Sequence, residues 1–343
     1  MLYVTTRNSR DVFTANRAMQ ETRGADGGLF VPFHLPVYSP EEIASLREKS
    51  FHACVAQILN QLFQTRLNAW DVEFCVGRYA VRLANLKQRI VVAECWHNPK
   101  WQFSCLVSSI MTRIRETQTE PAEGDWMQIG VRIAVLFGIF GELFRADVAS
   151  MEKKVDVSTV CGDFSGVMSA WYARQMGLPV GNIVVCCNEN NTLWDLMTHG
   201  QLRTDTVCIR TDTPDTDVTL PVSLERLIYA VGGESAVGEY LSVCRRGGMY
   251  VPDPLLHSKL REGLYVSVVS QPRLKTIIPN VFSSNRYVLS SYSALAYGGL
   301  MDYRSGTGSM RTALLLADRS PVCEAERISA LLGIKSGELD ALV

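Results

Sequence analysis

Three stretches of this 343-residue chain hold side chains that could do chemistry. The first is HNPKWQFSC, residues 97–105, with His97, Lys100, Ser104 and Cys105. An imidazole or amine can serve as acid, base or imine former when desolvated, and a serine or cysteine near a histidine is the start of a nucleophilic site. No third orienting residue can be identified and no G-x-S-x-G elbow exists, so solvent-facing loop residues are the plainer reading. The second stretch is CGDFSG, residues 161–166, which places two glycines where a strand turns into a helix. Backbone N–H groups at a helix start favour an anion such as phosphate. Asp163 would put a carboxylate where that anion should sit, or would cap the helix itself. The third is NENN, residues 188–191, whose side chains can cap the following helix or hold neighbouring loops.

Other chemistries are disfavoured. The five histidines, His34, His52, His97, His199 and His257, are scattered, and no HExxH or Walker pattern is present, which argues against a metal site. The ten cysteines show no CxxC spacing and mostly sit in apolar runs such as IVVCCN, as reduced core thiols of a cytosolic protein would. With 34 basic against 35 acidic residues and no basic run, neither nucleic acid nor an anionic membrane surface is an expected partner. The opening MLYVTTRNSRDVF has no apolar signal core, so the expected location is the cytoplasm. The apolar run from Ile129 to Phe144 is shorter than the roughly 20 residues a bilayer span needs and contains Arg132 and Glu142, so it reads as a buried core helix.

The elements that must position these stretches follow from periodicity. SPEEIASLREKS carries a capping box, with Ser39 at the cap, Pro40 at the first helical position and Glu42 reaching back. FHACVAQILNQLF and WDVEFCVGRYAVRLANL place apolar residues three and four apart, which predicts two helices and a helical N-terminal domain over residues 1–87. From residue 88 strands alternate with helices. QRIVVAEC, DVSTVC, NIVVCC, GLYVSVVS and TALLLAD read as strands, and the run after DVSTVC is a helix stopped by Gly177, with Pro179 beyond. NTLWDLMTHG reads as a helix ending at Gly200, and VSLERLIYAVGG, ESAVGEYLSVCRRGG, PRLKTIIPNVF, SSYSALAYGGLMDY and CEAERISALLG supply others. This alternation predicts an α/β fold over 88–343 with an open, mostly parallel sheet, which binds ligands at the carboxyl ends of its strands. RETQTEPAEGD, residues 115–125, reads as a linker.

Taken in order, several of these stretches resemble the threonine synthase family, pyridoxal-phosphate enzymes of fold type II, the tryptophan-synthase-β-like fold. YVTTR followed by DGGLFVP, Asp26 to Pro32, is similar to the family's N-terminal signature, and SPEEIASL to its next helix. Residues 161–193 resemble the family's GNFGN loop, helix, MGLP, strand and NEN run element by element. The departures carry more weight. Where the family reads approximately HGPTxxFKD, His97, Pro99 and Phe103 align, but the Schiff-base lysine position is Ser104 and the next acidic position is Cys105. Lys100 lies four residues upstream, after Pro99, a poor place from which to substitute.

The resemblance also implies that a mobile second subdomain with an SGDTG-type loop is largely deleted, since MTRIRE passes through TQTEPAEG directly to DWMQIGVRIAVLF. Gly162, Asp163, Phe164, Ser165 and Gly166 form a vestigial phosphate loop, SSYSA stands at 290–294 for DPHTA, and Asp318 takes the pyridine-nitrogen position. No catalytic residue and no cofactor are therefore expected, and covalent pyridoxal phosphate is disfavoured. The reading that follows is an inactive homologue with a binding or regulatory role, holding a protein partner or small ligand in the residual cleft. Two alternatives stay open: a lyase of the threonine synthase type, converting O-phosphohomoserine to threonine with an altered site, or a changed mechanism using Ser104 or Cys105 with His97 as base.

Overall fold

The computed structural model describes residues 1–78, 81–97, 100, 102–118 and 124–343. The chain opens with β1 (Leu2–Thr5), β2 (Asn8–Thr14), α1 (Ala15–Gln20) and β3 (Phe30–Pro32), and the three strands form an antiparallel sheet in the order β2-β1-β3. The N-terminal block is therefore not purely helical, as its periodicity suggested; β1 and β3 are too short to display a period of two. α2 (Pro40–Ala44) begins with the expected capping box, in which Ser39 Oγ accepts the Glu42 N–H at 3.2 Å and the Glu42 carboxylate accepts the Ser39 N–H at 2.7 Å. α3 (Phe51–Phe63) and α4 (Ala69–Val76) follow.

The single helix expected over 70–86 is overturned. α4 stops at Gly77, whose φ of 75° lies in the left-handed region that glycine enters without steric cost. The chain then forms β4 (Arg82–Leu86), which turns back antiparallel along β5 (Ile90–Glu94). The large sheet thus takes its first strand from before residue 88.

Beyond β5 come α5 (Phe103–Gln118) and α6 (Asp125–Arg145), separated only by residues 119–124, so no further strand–helix unit fits between them. The helix of α5 continues through 115–118, part of the stretch expected to be linker; residues 119–123 lie outside the described ones. Then follow β6 (Val155–Val160), α7 (Ser165–Gln175), β7 (Val180–Cys187), α8 (Thr192–His199) and β8 (Leu202–Arg203). α9 (Leu224–Arg246) is broken at Gly233, and β9 (Met249–Tyr250), α10 (Pro254–Leu260), β10 (Leu264–Val268), α11 (Gln271–Asn285), α12 (Ser291–Thr307), β11 (Ala313–Ala317) and α13 (Ala325–Leu332) complete the fold.

The large sheet has the strand order β10-β7-β6-β11-β5-β4, parallel throughout except for β4 at one edge. Its central strands are almost wholly buried, as strands covered on both faces by helices must be. β6, β11 and β5 are neighbours that end at Val160, Ala317 and Glu94, so the loops leaving them converge on one edge.

α6 packs that sheet against the N-terminal block. By length and composition it could cross a bilayer, yet 83% of its apolar window is buried inside the fold. Its glycines set the contact with α3: a Cβ on Gly130 would lie 2.2 Å from Phe63 Cζ, and one on Gly138 would lie 2.6 Å from Phe51 Cδ2. One buried cluster runs without a break from Tyr3 and Phe30 through α3 and α6 to Val157 and Val185 of the sheet.

Candidate functional site

A cavity of about 420 Å³ opens where β6, β11 and β5 release their loops. One wall is the turn from β6 into α7. Gly162 and Phe164 both adopt positive φ, 47° and 72°, and the Phe164 N–H bonds back to the Cys161 carbonyl at 2.8 Å. Phe164 is fully buried, which anchors this tight turn. Asp163 remains exposed and folds its carboxylate over the helix start, where Oδ1 accepts from the Ser165 N–H at 2.9 Å and from Ser165 Oγ at 2.6 Å. An amide that would favour an outside anion is therefore already served by the chain's own carboxylate.

The opposite wall comes from the end of β11 and the start of α5. The Asp318 carbonyl accepts the Phe103 N–H at 2.7 Å, satisfying one of the unpaired donors at the start of α5. Asp318 Oδ2 pairs with Arg132 Nη1 at 2.6 Å, and the Arg132 guanidinium lies 4.3 Å from the centre of the Phe103 ring. Burial works against this cation, but the charge of Asp318 and its hydrogen bond, with Asp163 beyond, hold it above the ordinary arginine value.

A third side is closed by Asp215, Tyr292 and Arg319. Arg319 Nη2 pairs with Asp215 Oδ2 at 2.6 Å, and its guanidinium covers the Tyr292 ring at 4.8 Å. Burial pushes the Tyr292 phenol up to about 12, so it stays neutral across the physiological range. Asp215 owes its position to the NENN run. Asn188 Nδ2 donates to Thr216 Oγ1 at 2.9 Å and to Asp217 Oδ1 at 2.7 Å, while Asn190 exchanges two 2.8 Å bonds with the Ile209 backbone. Of the two roles open to these asparagines, holding a loop is the one they fill; Asn191 makes no side-chain cap on α8.

The candidates of the 97–105 loop separate. Ser104 stands in the first turn of α5 and lines the cavity, its Oγ only 3.4 Å from Gln102 Oε1. Cys105 is half-buried and does not line it. His97 belongs elsewhere: its Nε2 lies 2.7 Å from Glu94 Oε2, and the same buried carboxylate receives Arg82 Nε at 2.6 Å and the Tyr287 hydroxyl at 2.8 Å. Burial raises Glu94, but these three hydrogen bonds outweigh it and bring the carboxyl below its ordinary value. Lys100 is exposed and outside the cavity lining. Residues 98, 99 and 101 lie outside the described ones, and with them Pro99.

Gly162, Asp163, Ser165, Gly166 and Asp318 all reach the cavity, as expected, with Phe164 buried behind them. Gln102 and Tyr292, from the 97–105 and 290–294 stretches, join them, as do Asp215, Arg319 and Gln128, which were not singled out in sequence. For Arg319 a signal existed, since it directly follows Asp318. Among the described residues the lining contains neither a lysine nor a histidine, and no group of three metal-ligating side chains forms.

A family profile described as Threonine synthase N terminus matches residues 2–79. Over 176 residues, half of this chain, it is 24% identical to mouse Threonine synthase-like 1, and over 173 residues 24% identical to threonine synthase of Pseudomonas aeruginosa. The chain is threonine synthase-like. These matches span 23% and 36% of the two relatives' own lengths. The solved structure of pyridoxal-phosphate-bound threonine synthase from Brucella melitensis superposes with a TM-score of 0.84 at 18% identity, covering all of this chain and 94% of that one. The yeast enzyme gives 0.83 at 15% identity, covering 99% and 93%. This threonine synthase-like chain therefore has the fold-type-II architecture, mixed α/β with a mostly parallel sheet. Among the described residues its cavity does not fit covalently held pyridoxal phosphate: the lining offers no amine for an imine, and Asp163 already accepts the Ser165 N–H at the start of α7.

Proposed function

We propose that this threonine synthase-like chain is a catalytically inactive homologue, located in the cytoplasm, that keeps the ancestral cavity as a binding or regulatory site for a small polar ligand. The observation that carries this reading is the absence of lysine from the cavity lining, with Ser104 on α5 where the family resemblance puts the Schiff-base lysine. A serine hydroxyl cannot form an imine with an aldehyde, and without one the family's chemistry has no covalent anchor. The cavity's two ion pairs, Arg132–Asp318 and Arg319–Asp215, suit a ligand bearing both an anionic and a cationic group.

Borohydride reduction of the purified protein with added pyridoxal phosphate, followed by peptide mass mapping, tests the first half. No pyridoxyl-lysine is expected at any position; a single stoichiometric adduct on one lysine, with its visible absorbance, sinks the proposal. Saturation-transfer NMR against a panel of small amino and carboxylic acids tests the second half. Signals lost on Arg319→Ala are expected, and an inert cavity across the panel refutes a ligand-binding role.

A further inference from the structure

Two buried cysteines lie side by side beneath the turn that forms one cavity wall. β6 and β7 run parallel with Val160 opposite Cys186, and the Cys161 N–H continues the ladder by donating to the Cys186 carbonyl at 2.9 Å. The next pair across is therefore Cys161 and Cys187. Residues paired across a ladder share a face, and successive residues alternate between faces. Cys186 accordingly points the other way, placing its Sγ 3.4 Å from the Ala296 carbonyl on α12. Cys161 and Cys187 both belong to the buried cluster on the α6 and α7 side of the sheet, and both are free thiols.

Neighbouring strands stand about 4.8 Å apart. That spacing falls within the roughly 4.4–6.8 Å between Cα atoms that a disulfide spans. Access differs between the two sulfurs: Cys161 lines the cavity, whereas Cys187 is sealed behind it. Both backbones are pinned, Cys161 by Cys186 and Cys187 through its carbonyl to the Val269 N–H at 2.9 Å. A bond between the sulfurs would link two backbones that the sheet already holds in register.

We infer that Cys161 and Cys187 are an oxidation site, a dithiol that closes to a disulfide when a peroxide enters the cavity. The sulfur of Cys161 attacks one peroxide oxygen, the O–O bond breaks, and the thiol's proton passes to the departing oxygen, so that sulfenic acid forms with release of water or an alcohol. Cys187 then attacks that sulfur, the S–O bond breaks and a water leaves. Two thiols are oxidised, one peroxide is reduced, and no further reactant is needed. The disulfide fixes the residue that precedes Gly162, so it tightens the turn carrying Asp163 and alters the cavity wall. This inference rests on strand register and stands whatever ligand the cavity takes.

The test uses the intact, fully reduced chain, exposed briefly to stoichiometric hydrogen peroxide, alkylated after denaturation, digested with trypsin and mapped by mass spectrometry. Peptide 155–174 carries Cys161, and peptide 175–203 carries Cys186 and Cys187. The expected product is these two peptides joined, with fragmentation placing the bridge on Cys187. It persists in Cys186→Ala and vanishes in Cys161→Ser and Cys187→Ser. Recovery of Cys161 and Cys187 as alkylated thiols while the exposed Cys208 is oxidised overturns the inference. So does a bridge to Cys186, or Cys161 recovered as sulfinic acid without a bridge. The wild-type mapping decides the question even where a serine variant fails to fold.

Discussion

Replacing Asp163 by asparagine isolates how far its carboxylate opposes an anion at the turn from β6 into α7. In the wild type Asp163 Oδ1 holds both the amide and the hydroxyl of Ser165. An asparagine oxygen can accept the same two bonds, so the turn and α7 stay folded while one negative charge disappears. Two unit charges about 4 Å apart interact by about 1 kcal/mol in water and about 4 kcal/mol at an effective permittivity of about 20. Asp163 is exposed, so the lower figure applies. Removing about 1 kcal/mol of repulsion tightens binding about fivefold, at 1.4 kcal/mol per decade. The assay is isothermal titration of pyridoxal phosphate and of inorganic phosphate into wild type and Asp163→Asn at low salt. It is repeated at physiological salt, where a Debye length of about 8 Å reduces the gain. Equal dissociation constants for the two proteins, or a gain indifferent to salt, would refute the argument. A borohydride-stable adduct is expected in neither, since no lysine enters with the substitution.

Other expectations follow from geometry already described. Asn188→Ala removes the Nδ2 bonds to the hydroxyls of Thr211, Thr213 and Thr216 and to the Asp217 carboxylate, together with the bonds Oδ1 accepts from Asn190, a loss of about 3 kcal/mol by urea unfolding, with faster amide exchange over 209–217. An unchanged urea midpoint would deny Asn188 its role in holding Asp215. Gly130→Ala drives a Cβ to within 2.2 Å of Phe63 Cζ and should destabilise by about 1–3 kcal/mol, with Phe63→Leu in the same chain restoring part of it. Glu94 is held below its unfolded value of about 4.3. Its contribution is thus complete above that pH and disappears as pH falls through the lower folded value; Glu94→Gln should flatten this acid limb of the stability curve while leaving its shape above pH about 6 unchanged.

Much of the fold was legible because parallel strands and capped helices write strong local signals. β6, β7 and β11 are apolar runs bounded by turns, the Ser39 box starts α2, and Gly200 ends α8 in a left-handed turn with φ of 71°. Residues 70–86 misled because their apolar spacing fits a helix, and only pairing with β5 decides that Arg82–Leu86 is extended. The cavity was half legible. Ser104, the Gly162–Gly166 turn and Asp318 are carried there by the strand ends, which sequence locates well. His97 and Lys100 share a loop with Ser104, but nearness along the chain does not fix direction, and Glu94 draws the imidazole away. Asp215 could not have been found locally, because its place depends on two asparagines more than twenty residues earlier gripping its loop.

The glycine-lined contact between α6 and α3 reaches beyond packing. With one apolar cluster shared by the N-terminal strands, α3, α6 and the sheet, the first eighty residues lack a core of their own to fall back on. They are a splint cast onto the sheet instead of a detachable module. The whole chain should melt in a single calorimetric transition, and a fragment ending at residue 79 should lack a cooperative transition altogether.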